Sequence, residues 1–170
     1  MADLPNRSAD LLLVVATAPG VVGHLRQAVP ALRRKYGALD VAAVNAGGVI
    51  YDGPLKLWAS YHFPHLAMFA RTRLAANFPM SGITYILDCP APGLEPTHMM
   101  QAPYHGTSSM LATWAGVRMG YQRIVLAGVE LTGPYEHWRA GWEGLALSPE
   151  ANRIRSLSGW TADRFGREEF

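Results

Sequence analysis

Four short runs of nearly unbroken apolar residues constrain this chain more than any other feature. They are Leu11–Ala18 (LLLVVATA), Asp40–Asn45 (DVAAVN), Ile83–Asp88 (ITYILD) and Arg123–Glu130 (RIVLAGVE). A strand with one wet face alternates apolar and polar residues. Strands that fail to alternate are buried on both faces, which is the environment of a parallel sheet covered by helices on each side. Leu57–His62 (LWASYH) alternates more and is a further candidate strand.

Helical spacing fills the intervals. Val21–Tyr36 places Leu25, Val29 and Leu32 on one stripe and is followed by Gly37, although Pro30 is expected to kink or divide it. Pro64–Phe78 carries Leu66, Phe69, Ala70 and Leu74 near helical spacing. In Ser109–Met119 the residues Met110, Leu111, Trp114 and Val117 share a face, with serines at the start and Gly120 at the end. Cys89–His105 is proline-rich and reads as a long loop with a short strand near His98–Gln101. Alternating strand and helix over Leu11–Glu130 predicts one Rossmann-like, three-layer α/β/α domain with a mainly parallel sheet spanning residues 1–170. Residues 131–170 form a C-terminal extension, rich in Trp, Gly and Arg, with helix potential at Ser148–Ser158; a lid or an oligomer contact is its expected role.

Composition narrows the class. Hydrophobic residues at 49% against 16% charged describe a globular chain. The net charge of +2 leaves only Arg33, Arg34 and Lys35 as a basic run, read as the cation-rich end of a helix, so no nucleic-acid partner is expected. Cys89 is the single cysteine, which forbids an intrachain disulfide and reads as an inert thiol. Met1–Asp10 lacks a secretory pattern and no apolar run approaches a membrane span. A soluble, cytoplasmic protein with no membrane partner is the expectation.

In an open parallel sheet, ligands lie beyond the carboxyl ends of the strands. The candidate binding residues are therefore Thr17, Pro19 and Gly20 after the first run, Asn45 after the second and Glu130 after the last. Gly106, Thr107, Ser108 and Ser109 lead into a helix, whose start offers free N–H groups and suits a phosphate or carboxylate; the alternative is that Ser108 or Ser109 is simply the N-cap. His62 and His105 are the candidate general acids or bases, because imidazole titrates near neutrality. Asp88 and Glu130 would supply oxygen ligands if magnesium is used, and Glu130 could otherwise hold a ribose. His137 is read as part of a flap; the dispersed tryptophans are read mostly as packing residues, of which Trp138 and Trp142 could instead line a ligand mouth or an oligomer contact. Neither GxGxxG nor GxxxxGK[ST] occurs, which weighs against a standard dinucleotide enzyme or a P-loop ATPase.

The run GTSSMLATWAGVRMGYQRIVLAGVELTG (Gly106–Gly133), with AVNAG (Ala43–Gly47) and LWASYH (Leu57–His62), resembles a group of Rossmann-like proteins common in bacteriophages and prophages. That group is similar to the family of archaeal 6-hydroxymethylpterin diphosphokinase and, more distantly, to bacterial sialyltransferases that use a CMP-sugar. The resemblance implies a nucleotide or CMP-sugar bound across the first strand's loop, Asn45 and the Gly106–Ser109 turn. Those families carry a GxGPS-like loop after the first strand, where this chain has Ala16-Thr17-Ala18-Pro19-Gly20. The expectation is a nucleotide- or nucleotide-sugar-binding transferase, phage-encoded, moving a glycosyl or phosphoryl group and able to form a homo-oligomer. The alternatives are a non-catalytic phage component that keeps the fold and a pterin diphosphokinase-like enzyme.

Overall fold

The computed structural model describes residues 4–170, so the first three residues of the polar Met1–Asp10 segment lie outside it. Seven parallel strands form one sheet in the order β5-β4-β3-β2-β1-β6-β7. They are β1 (Leu11–Val15), β2 (Leu39–Val44), β3 (Leu57–Ala59), β4 (Thr84–Leu87), β5 (Thr97–Met99), β6 (Arg123–Ala127) and β7 (Ile154–Ser156). At the centre, Leu11 of β1 lies beside Leu39 of β2 and Arg123 of β6, and the register runs on to Val15. Every β1 side chain is fully buried, which is why that run shows no alternation.

Helices cover both faces. Alternate β1 residues Leu11, Leu13 and Val15 pack with α1 (Val21–Tyr36), the four-residue α2 (Gly47–Ile50) and α3 (Phe63–Ala75). Leu12 and Val14 face α4 (Ser108–Arg118), α5 (Arg139–Ala146) and α6 (Gly159–Phe165). The three-layer α/β/α expectation therefore holds. The chain winds from β1 outward to β5 under α1 and α3, then returns beneath α4 to place β6 on the other side of β1. The loops after β1 and β6 consequently diverge onto opposite faces, and a crevice opens between them.

Several expectations are corrected. Pro30 does not divide α1, which is continuous over all 16 residues. Its ring sits on the exposed side, so the Arg26 carbonyl that loses its helical donor stays with solvent. The third strand stops at Ala59: the Tyr61 N–H turns to Ser108 of α4, and His62 is already the N-cap of α3. Ser148–Ser158 is not α-helical: a 3₁₀ turn at Pro149–Arg153 leads into β7, which pairs with β6. The 131–170 segment is thus built into the sheet and its α4 face rather than appended to them.

Two polar hubs, one buried and one partly exposed, fix the frame. Arg73 of α3 is fully buried, and its guanidinium donates to the carbonyls of Gly48 (2.6 Å), Tyr51 (2.5 Å), Gly53 (2.5 Å) and Pro79 (3.0 Å). It staples the α2 segment, which begins beside Asn45. At the opposite end of the sheet, Asp40 accepts from the Ser8 N–H and hydroxyl, the Ala9 N–H and the Tyr121 hydroxyl. The basic end of α1 is anchored by Lys35, paired with the buried Glu168 at 2.7 Å. No helix among the described residues is long and apolar enough to cross a membrane.

Candidate functional site

The crevice has two chambers. The first, about 410 Å³, lies at the carboxyl ends of β1 and β6 and is lined by Thr17, Pro19, Asn45, Ser109, Glu130 and the Leu131–Tyr135 stretch, among others. The second, about 710 Å³, is bordered by Tyr61, His62, Asp88 and Gln101 and by Tyr104, His105 and Trp138. Asn45, Thr107, Ser108 and Tyr135 border both.

The first chamber depends on close backbone approach. Ala16 and Ala18 donate to the carbonyls of Ala127 and Gly128, drawing the two loops together. Gly128 adopts φ +72°, and a Cβ there would lie 2.9 Å from Val21 and 3.1 Å from the Ala16 backbone. Only glycine fits at that approach. Two of the three non-glycine residues with positive φ, Asn45 (49°) and Leu131 (51°), border this chamber. Asparagine tolerates that region, whereas leucine does not without support. The support comes from Arg139, whose Nε donates to the Leu131 carbonyl at 2.9 Å while its guanidinium lies over the Trp160 ring.

Asn45 is fixed from two sides. Trp58 Nε1–H donates to its carbonyl (2.8 Å), and the Ser60 hydroxyl donates to Oδ1 (2.7 Å). The amide Nδ2 is left as the donor available to the crevice. Across the seam, the Tyr61 N–H donates to Ser108 Oγ at 3.0 Å, tying the end of β3 to the start of α4. Thr107, rather than Ser108 or Ser109, is the N-cap of α4, and it makes no side-chain capping bond. Its hydroxyl instead meets Ser109 Oγ at 2.5 Å. The first amides of α4 therefore border the chambers without an internal cap.

In the second chamber, the aromatic rings of His105 and Trp138 are 5.3 Å apart and tilted by 46°. The side chains of His62, Asp88, Gln101 and His105 are exposed to the cavity. Burial, reinforced by the Asp88 carboxylate, pushes the Tyr61 hydroxyl above its ordinary value against the opposing backbone contact at Ala102, so Tyr61 stays protonated. Burial and Asp88 also raise the Cys89 thiol, in keeping with the inert reading of that residue.

The sequence candidates divide between the chambers, with Asn45, Thr107 and Ser108 shared by both. Thr17, Pro19, Asn45, Thr107, Ser108, Ser109 and Glu130 line the first chamber, and His62, Asp88, His105 and Gly106 the second. Gly20 does not line either; it starts α1 at φ +82°. Trp142 is fully buried against Phe165, whereas Trp138 does border the crevice. His137 stacks on Trp138 outside both chambers. The residues do not fit magnesium. Asp88 and Glu130 belong to different chambers, Glu130 Oε1 accepts the Ser158 hydroxyl (2.9 Å), and no group of three His, Cys, Asp or Glu able to hold a metal occurs among the described residues. Sequence reasoning missed Gln101, Tyr104 and the Leu131–Tyr135 rim. The one signal for the rim was the turn-forming pair Gly133-Pro134 shortly beyond the apolar run that ends at Glu130.

Compared with family models, curated proteins and solved structures, the chain matches none.

Proposed function

We propose that this chain binds a nucleotide-activated sugar across the β1–β6 crevice and transfers its glycosyl group to an acceptor in the adjoining chamber. The observation that carries the reading is the shared seam of Asn45, Thr107, Ser108 and Tyr135 between the two chambers. Two bound molecules would meet there, and holding reactants side by side removes much of the entropic barrier to their reaction. The position also agrees with the rule for ligands at the switch point of a parallel sheet.

Charge favours glycosyl over phosphoryl transfer. The ionisable acids lining the chambers are Glu130 and Asp88, and no lysine or arginine is among the lining residues. Phosphoryl transfer from a triphosphate relies on cationic side chains and metal ions to neutralise its charge. The singly charged phosphodiester of a nucleoside monophosphate sugar asks for less, and the uncapped start of α4 suits it. In the transfer, an acceptor hydroxyl oxygen bonds to the anomeric carbon as the bond from that carbon to the phosphate oxygen breaks. The electron pair leaves with the phosphate, whose charge the Ser108 and Ser109 amides stabilise, and the hydroxyl proton passes to the imidazole of His62 or His105.

Thermal unfolding with CMP, a CMP-sugar, ATP and GTP, each with and without magnesium, tests this reading. A ligand at a hundredfold its Kd stabilises by about 2.7 kcal/mol, and each kcal/mol moves the midpoint by about 2–4 °C at this size. Stabilisation by CMP or its sugar without magnesium supports the reading. Stabilisation by ATP alone, only with magnesium, replaces it with phosphoryl transfer, and no response to any ligand replaces it with the non-catalytic alternative.

A further inference from the structure

The second chamber carries more information than its size. Its walls are aromatic at Tyr61, Tyr104 and Trp138, and its polar groups, at Asp88, Gln101 and the two histidines, are planar hydrogen-bonding side chains. All four side chains are exposed to the cavity, and Asp88 also meets the thiol of the neighbouring Cys89. Such a lining offers flat apolar platforms beside groups that donate and accept.

The platforms are single-sided. Trp138 is tilted by 46° to His105 and by 43° to His137, and Tyr104 stands edge-on to Trp114 at 89°. None of these pairs forms the parallel slot that grips a flat heteroaromatic ring on both faces. A ring with one apolar C–H face and a rim of hydroxyls matches the arrangement better. Asp88 is the carboxylate of that lining and no lysine or arginine stands opposite it, so away from the start of α4 the chamber offers an anionic ligand no cationic side chain of either type.

One wall is also expensive to build. A Cβ on Gly141 of α5 would lie 1.4 Å from the His105 carbonyl oxygen, and one on Gly144 would lie 2.8 Å from the Tyr104 ring. A helix-interior glycine costs about 1 kcal/mol relative to alanine, yet this eight-residue helix carries two that face the loop. They form a ledge on which Tyr104 and His105 rest, and the ledge sets that wall of the chamber.

We propose that the chamber around Trp138 is a binding site for an uncharged saccharide. The proposal rests on the transfer reading only in making this saccharide its acceptor. The test is titration of the full chain with neutral mono- and disaccharides and oligosaccharides, and separately with 6-hydroxymethylpterin, followed by tryptophan fluorescence and amide NMR. At least one saccharide is expected to give saturable shifts at Gln101, Tyr104 and His105. Binding should weaken about tenfold in Trp138→Ala, as for an aromatic anchor, and more modestly in Gln101→Ala, an exposed loop change that spares the core. Met68→Ala, an exposed change on α3 outside both chambers, should leave it intact. Absence of a saturable response to every saccharide, a response to the pterin alone, or equal binding by Trp138→Ala overturns the proposal. The titration needs no nucleotide, so saccharide binding without any nucleotide response removes the transfer reading and leaves this site standing. Nucleotide binding without a saccharide response does the reverse.

Discussion

Ser60 Oγ donates to Asn45 Oδ1 at 2.7 Å, and the same oxygen accepts the His62 N–H at 2.8 Å. One fully buried hydroxyl thereby sets the orientation of the amide on the seam and the start of the segment that carries a candidate imidazole. Removing it leaves the partly buried His62 N–H and the Asn45 amide oxygen without their partner. Ser60→Ala is expected to cost about 1–3 kcal/mol in urea unfolding and to shift the Asn45 side-chain amide resonances. A stability loss near zero with unmoved amide signals would show that Ser60 does not organise the seam.

Arg73 gives a sharper expectation for stability. Burial lowers its guanidinium from the ordinary value, partly offset by Tyr51, Asp52 and Tyr85, and it remains a cation held by four backbone carbonyls and lying over the Phe78 ring. Arg73→Met would leave those carbonyls unpaired in the interior and should destabilise by about 3 kcal/mol or more. Arg73→Lys should recover only part of the loss, because an ammonium cannot span the fork. Equal stability of the methionine variant and the parent in denaturant titration would contradict the stapling role.

The Asp40 hub predicts an acid-sensitive contribution. Burial acts to raise the Asp40 carboxyl, but the hydrogen bonds from Ser8 and Tyr121 outweigh it and hold the carboxyl below its ordinary value. Burial together with Asp40 pushes the Tyr121 hydroxyl up, so Tyr121 remains the donor. A depressed carboxylate stabilises the fold above its unfolded value, about 3.9, and that contribution disappears as pH falls through the folded value. The stability gap between the parent and Asp40→Asn should therefore be constant above about pH 5 and close in stronger acid. A gap independent of pH would refute the assignment.

How far the residues alone disclosed this structure follows from which forces act locally. β1, β2, β4 and β6 were legible because burial on both faces writes itself into consecutive side chains, and α1 because its stripe and Gly37 mark its register and end. β7 was read as helix: its three residues become a strand only through pairing with β6, a contact distant in sequence. The site was half legible. Strand ends pointed to Asn45 and Glu130, and His62 and His105 do border one chamber. The rim at Leu131–Tyr135 depends on a left-handed Leu131 held by Arg139, and no local pattern announces such support. Trp138 and Trp142 look alike in sequence, yet Trp142 lies inside α5 and is buried against Phe165, whereas Trp138 ends the preceding 3₁₀ turn and borders the crevice.

Amide NMR of the full chain titrated with CMP and a CMP-sugar tests the central claim most directly. Saturable shifts should appear together at Thr17, Asn45, Thr107, Ser108, Ser109 and Glu130, with Gly20 and the Arg26–Arg33 stretch of α1 unmoved. Saturating ligand that shifts none of those residues, or shifts only residues remote from the β1–β6 crevice, would contradict the account.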